Sequence, residues 1–132
     1  MLKTIAPTFL ILHGLVHGIL AMVPSPDAPD KGVATFYSGT GSWLLTRLGL
    51  SESTSKTIAI LLAVTATIGF VAAGLALFGI LIPFDWWRTL AIASAAVSLS
   101  LVVIFWHRYL IVGLLIDVAV LVTLIFTNWS PG

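Results

Sequence analysis

The chain has 132 residues, of which 59% are hydrophobic and 8% charged, and its formal net charge is +1. Soluble domains carry about 25% charged and about 45–50% apolar residues, so this composition excludes a soluble globular protein and a disordered chain. The near-zero charge leaves no electrostatic footprint for a nucleic acid, and the absence of cysteine removes disulfides, thiolate nucleophiles, iron–sulfur clusters and cysteine-based zinc sites.

Four apolar runs, 4–23, 57–82, 87–106 and 109–128, reach the roughly 20 residues that cross a hydrocarbon core of about 30 Å. Helices satisfy their own backbone groups in lipid. The fold expected is therefore all-α: a transmembrane four-helix bundle occupying 1–132 as one unit, with a long, partly interfacial loop over 24–56. Lys3 ahead of the first run has the look of a signal peptide, but no Ala-x-Ala site follows, so the segment is expected to be retained.

The first span carries His13 and His17, four apart and so on one helix face. Gly14 and Gly18 lie on the adjacent stripe, and glycines at that spacing let another backbone approach closely. Pro24, Pro26 and Pro29 open the loop. It is too long for a plain connector. Its second half places Trp43, Leu44, Arg47 and Leu48 at helical spacing, which suits a short interfacial helix with apolar residues in lipid and Arg47 at phosphates. The alternatives are a lid over the bundle mouth and a loop packed on the bundle end.

Ser51 or Ser53 can cap the second span, with Glu52 favourable at its positive end. That span carries Thr67 and is expected to end at Pro83. Asp85 is a candidate N-cap for the third span, which begins with Trp86, Trp87 and Arg88 and holds Ser94 and Ser98. His107 and Arg108 form a tight turn with a solvated or headgroup-facing role. The fourth span holds Gly113 and, one turn later, Asp117. Both termini then share one side with Lys3 and Arg88. The other side holds Lys31, Arg47, Lys56 and Arg108, and the positive-inside rule places it in the cytoplasm.

An ionised Asp at a helix centre costs about 2.5–3.5 kcal/mol on insertion scales, so Asp117 calls for a partner. Counting a rise of about 1.5 Å per residue puts Asp117 between the levels of His13 and His17. Ser98 falls at the same level, Ser94 one turn away, and Thr67 somewhat off it. The first and last spans are expected to touch, with Gly113 admitting the approach and Asp117 facing the histidines.

Such a layer can anchor the carbonyl or hydroxyl of a lipophilic molecule, share a proton within a His–Asp pair, or hold zinc or iron through His13, His17 and Asp117. The packing alternative makes it hydrogen-bonded glue between helices. Haem does not suit it, because two histidines on one helix face cannot reach opposite faces of the macrocycle.

The stretches Leu12-His-Gly-Leu-Val-His-Gly18, Gly41-Ser-Trp-Leu-Leu45, Trp86-Trp-Arg88 and Phe105-Trp-His107 with Gly113-Leu-Leu-Ile-Asp117 resemble small, uncharacterised prokaryotic membrane proteins with a DoxX-like four-helix plan. The resemblance implies a four-helix fold in a bacterial or archaeal inner membrane and no defined activity. The functional expectation is an accessory or binding module for a lipophilic molecule such as a quinone or lipid, acting alone, as a homo-oligomer or in a larger membrane complex. The alternatives are a proton-coupled transporter or small membrane enzyme using Asp117 with His13 or His17, and a purely structural subunit.

Overall fold

The computed structural model describes every residue from Met1 to Gly132. Its helices are α1 (Leu2–Leu20), α2 (Trp43–Arg47), α3 (Glu52–Phe78), α4 (Trp87–Ile104) and α5 (Ile111–Phe126), with single 3-10 turns at Pro29–Lys31, Phe84–Trp86 and Arg108–Leu110. Leu2–Leu20, Glu52–Phe78, Phe84–Ile104 and Arg108–Phe126 are long and apolar enough to span a membrane. Large apolar side chains such as Leu12, Leu61, Val112 and Leu115 project outward, as a bundle solvated by acyl chains requires. The chain is an all-α transmembrane four-helix bundle.

Several helix ends differ from expectation. α1 stops at Leu20 rather than Val23, because the loop folds back on it: the amides of Ala34, Thr35 and Phe36 bond to the carbonyls of Met22 and Val23. α3 starts at Glu52, capped by Ser51, whose Oγ accepts from the Thr54 amide at 3.2 Å. It ends at Phe78, four residues before the expected boundary. Gly79 adopts a left-handed φ of 69°, and the amides of Gly79 and Ile80 return to the carbonyls of Ala76 and Leu75, a Schellman-type closure that glycine favours. Asp85 does not cap α4. It sits in the 3-10 turn ahead of that helix, and no side chain bonds to the helix start.

α3 is the centre of the bundle: α1 packs along it on one side and α4 on the other, and α5 packs along α4. Ala59, Ala63, Ala66, Ala73 and Ala76 on α3, with Ala91 and Ala95 on α4, are all buried. Small residues are the means by which helices in lipid bring backbones into contact. The glycines of α1 serve that same centre. A Cβ on Gly14 would stand 2.8 Å from Cβ of Phe70 and 3.0 Å from the Thr67 carbonyl oxygen, and one on Gly18 would stand 3.2 Å from Thr67 Oγ1. The close seam of α1 is thus with α3, its neighbour in sequence, and not with the last span. Gly113 has nothing within 4 Å of where its Cβ would be and admits no close approach.

The two bundle ends are tied differently. At one end Ser42 caps α2, accepting from the Leu45 amide at 3.1 Å, and donates to the Ile104 carbonyl at 2.6 Å. Trp43 Nε1 donates to the Val103 carbonyl at 2.6 Å. Leu45 is buried with Phe36, Tyr37, Leu101, Val102 and Phe105. α2 is therefore packed on the bundle end through Leu45, and Trp43, Arg47 and Leu48 lie outside it. At the other end Arg88 donates to the carbonyls of Leu124, Thr127 and Trp129. A cation there complements the negative end of α5, and the Trp87 and Trp129 rings meet edge to face at 6.2 Å.

Candidate functional site

α1 carries His13 and His17 on one face, and Phe70 of α3 fills the space behind them. Its ring meets His13 edge-on at 4.8 Å and lies parallel to His17 at 6.3 Å. The two imidazoles meet each other edge-on at 5.0 Å. The Gly14 seam makes this possible, since α1 must lie close to α3 for Phe70 to sit under both rings.

The polar atoms of these rings converge on α4 and α5. His13 Nε2 lies 3.0 Å from Asp117 Oδ1, Ser98 Oγ donates to Asp117 Oδ2, and Ser98 Oγ lies 2.7 Å from His17 Nε2. Beyond the helices, His17 Nδ1 lies 3.0 Å from the hydroxyl of Tyr37. Asp117 and Ser98 are fully inaccessible and Tyr37 nearly so. The result is one continuous chain, Tyr37–His17–Ser98–Asp117–His13, linking the loop, α1, α4 and α5. It lies in the half of the bundle nearer the long loop, because α1 ends three residues after His17, roughly 5 Å along the axis.

A serine hydroxyl has one proton, and this fixes the order of donors. If Ser98 donates to Asp117, it must accept from His17 Nε2–H, and His17 Nδ1 then accepts from Tyr37. His13 Nε2–H completes a carboxylate that accepts on both oxygens. Every fully buried polar atom of the layer is satisfied, as burial demands. Adding one proton to Asp117 reverses the arm: the carboxyl donates to Ser98, Ser98 to His17 Nε2, and His17 Nδ1–H to the Tyr37 oxygen. The contacts along the arm are all kept, and the Tyr37 hydroxyl changes from donor to acceptor, its own proton turning away from His17. No lysine or arginine lies within the spans away from their ends, so only the imidazoles can balance a charge on Asp117.

The other polar positions stand apart from this chain. Ser94 Oγ donates to the Leu90 carbonyl at 2.6 Å and packs on Gly69. Thr67 Oγ1 donates to the Ala63 carbonyl at 2.8 Å and packs on Gly18. Both are seam residues, not members of the layer. Arg108 is exposed and bonds to Asp27 at 3.3 Å. His107 is not solvated as the turn suggested. Its ring meets Phe36 and Tyr109 edge-on at 5.2 and 5.8 Å, and both nitrogens are buried without a hydrogen bond of normal geometry. Burial holds its pKa below the ordinary imidazole value, outweighing the pull of the Phe36 backbone and Asp27. Burial likewise pushes the Tyr37 phenol up, with Asp117 adding to the shift.

Tyr37 is the member that sequence reasoning missed. A loop has no period to give its side chains a face. The available signal was an adjacent Phe36–Tyr37 pair within an otherwise small and polar segment of an overlong loop.

His13 Nδ1 makes no hydrogen bond and is not fully buried. Phe9, one turn away, stacks on the His13 ring with centroids 5.9 Å apart. Phe9 also lines a crevice of about 260 Å³ between α1 and α5, walled by Leu10, Ile116, Ala119, Val120 and Leu124 and closed at the far end by Trp87 and Trp129. Here α1 and α5 stay apart, joined by the His13–Asp117 contact and by side chains such as Leu10 and Leu124.

Together the spans and the layer define a multi-pass helical membrane protein with a buried histidine–aspartate pair. Comparison with protein-family models, curated proteins and solved structures finds no match to this chain.

Proposed function

We propose that the chain is a membrane-embedded binding module for a lipophilic molecule with a carbonyl or hydroxyl head, of the quinone or lipid class. The molecule enters between α1 and α5 and is anchored at His13. The observation that carries this reading is the apolar crevice lined by Phe9 and Ile116, next to an imidazole whose second nitrogen is unpaired. Drug-sized sites enclose about 300–1,000 Å³ and combine apolar walls with few polar groups. A crevice of about 260 Å³ suits one ring or a stretch of chain, with the remainder in the bilayer. Asp117 orients the imidazole from behind, and Phe9 must turn aside for the head to reach it. The reading takes the chain as one of the small DoxX-like proteins of a prokaryotic inner membrane, with its termini outside. The orientation rests on Lys31, Arg47, Lys56 and Arg108 at the opposite end.

Native mass spectrometry of the gently extracted protein, with a short-tailed benzoquinone as added probe, tests the reading. Wild type is expected to retain the probe or a co-purified lipid. Ala119→Trp, which fills the crevice, should lose it, and His13→Phe should weaken it. Equal retention by wild type and Ala119→Trp would overturn the reading.

A second reading, proton transfer through the layer, draws support from the reversible donor order of the Tyr37–His17–Ser98–Asp117 arm. Asp117→Asn separates the two. A binding anchor tolerates it, because an amide can still accept from His13 and donate to Ser98, whereas a relay loses its titrating group and its activity.

A further inference from the structure

We infer that His13, His17 and Asp117 form a binding site for a divalent transition metal of the zinc class. One ligand atom from each of the three lies within 4.8 Å of the others, and all three residues are buried. Ligand nitrogens and oxygens at about 2.0–2.1 Å from a four-coordinate zinc ion stand roughly 3.3 Å apart, so the groups need to close by no more than about 1.5 Å. The two ring centroids are already 5.0 Å apart, one ring edge-on to the other, and the atom bridging His17 to the carboxylate is the Ser98 hydroxyl, itself an oxygen donor.

Three further features fit a metal centre. The ligand set is two imidazoles at i and i+4 on one helix with a carboxylate from another, a set suited to zinc. A carboxylate at a depth where the spans carry no lysine or arginine gains a counter-charge from a cation. His17 also has an outer partner: when Nε2 binds a metal, Nδ1 carries the proton and donates to the Tyr37 oxygen 3.0 Å away, the kind of support that fixes the tautomer of ligating histidines. His17 lies in the last turn of α1 under the loop that carries Tyr37.

The proton balance is definite. Starting from an ionised Asp117 and neutral rings, the His13 and His17 protons move from Nε2 to Nδ1 and the Tyr37 hydroxyl proton turns away. Binding then releases no proton from the layer. Starting from a protonated Asp117, one proton is released.

The full-length protein in detergent or nanodiscs, stripped with a chelator, is titrated with Co²⁺ as a spectroscopic probe and then with Zn²⁺. The expected result is one Co²⁺ per chain, with visible absorption of a low-coordinate nitrogen–oxygen site that Zn²⁺ abolishes. Asp117→Asn and His13→Gln should each weaken binding by more than about 100-fold, and Tyr37→Phe by about 10-fold, as loss of an outer partner does. His107→Ala, which removes the remaining histidine, should leave it unchanged, as should Ala119→Trp. That last variant fills the crevice without touching the ligands, so the metal site and the lipophilic site fail independently. Absence of stoichiometric binding to wild type overturns the inference without any variant. So does binding that survives in Asp117→Asn or disappears in His107→Ala.

Discussion

α1 meets its two neighbours in opposite ways. Against α3 it is fitted by shape alone, with Gly14, Gly18 and Gly74 removing the side chains that would hold the backbones apart. Against α5 there is no such fit. The helices stand off around a crevice, and the polar link across it is His13 to Asp117. A seam made by shape tolerates no added volume. A seam made by one polar contact tolerates volume but depends on hydrogen-bond chemistry, and it leaves room for a guest.

The largest expected effect is on the shape-fitted seam. Gly14→Val drives a branched side chain into Phe70 and the Thr67 carbonyl, and overpacking of this kind costs about 1–3 kcal/mol or more. Stability measured by steric trapping in bicelles should fall toward the upper end of that range. Next comes the polar contact. Asp117→Ala strands the His13 Nε2–H and takes one of its two partners from Ser98, and hydrogen bonds between membrane helices contribute about 0.6 kcal/mol on average and up to about 1.7 kcal/mol. A loss of about 1–2 kcal/mol is expected by the same assay. Asp117→Asn should cost less than half as much, because the Ser98–His17–Tyr37 arm can reverse. Nitrogen-15 NMR should then find His17 protonated at Nδ1 instead of Nε2. The smallest effect has the opposite sign. Gly113→Ala enters open space on α5 and should stabilise by up to about 1 kcal/mol, the helix-propensity difference. A loss of stability there would mean that α5 has a close neighbour after all.

The loop end adds a pH dependence. Burial lowers the His107 pKa in the folded chain, so the unfolded chain binds this proton more readily. The contribution is constant above an unfolded pKa of about 6.5 and stability falls as pH drops below it. A chemical-denaturation series from pH 7.5 to pH 5 should show the decline in wild type, and His107→Phe should flatten it.

Much of this was legible in the chain itself, for a physical reason. In lipid the backbone leaves few options, so apolar length alone announces four helices. One unit of rise per residue also orders their polar groups by depth, so His13, Ser98 and Asp117 could be set at one level before their contacts were known. Azimuth between helices is not written that way. Gly14 and Gly18 mark a close seam without naming the partner, and the partner proved to be α3. Ser94 and Thr67 share the layer's approximate depth yet spend their hydroxyls on their own helix carbonyls. Apolar composition also cannot distinguish the last turn of a helix from a turn past it, so Gly79 ends α3 inside a run that reads as helix. Tyr37 was hidden because its position depends on how the loop folds back onto α1, which no periodicity records.

The most direct test of the account is side-chain nitrogen-15 NMR of His13 and His17 in lipid bilayers, compared between wild type and Asp117→Ala. A His13 Nε2–H hydrogen-bonded to a carboxylate is expected in wild type, with that bond lost and the His17 resonances shifted in the variant, since Ser98 carries the change from one ring to the other. Imidazole signals that are the same in both proteins would show that the carboxyl does not meet the rings, and would contradict it.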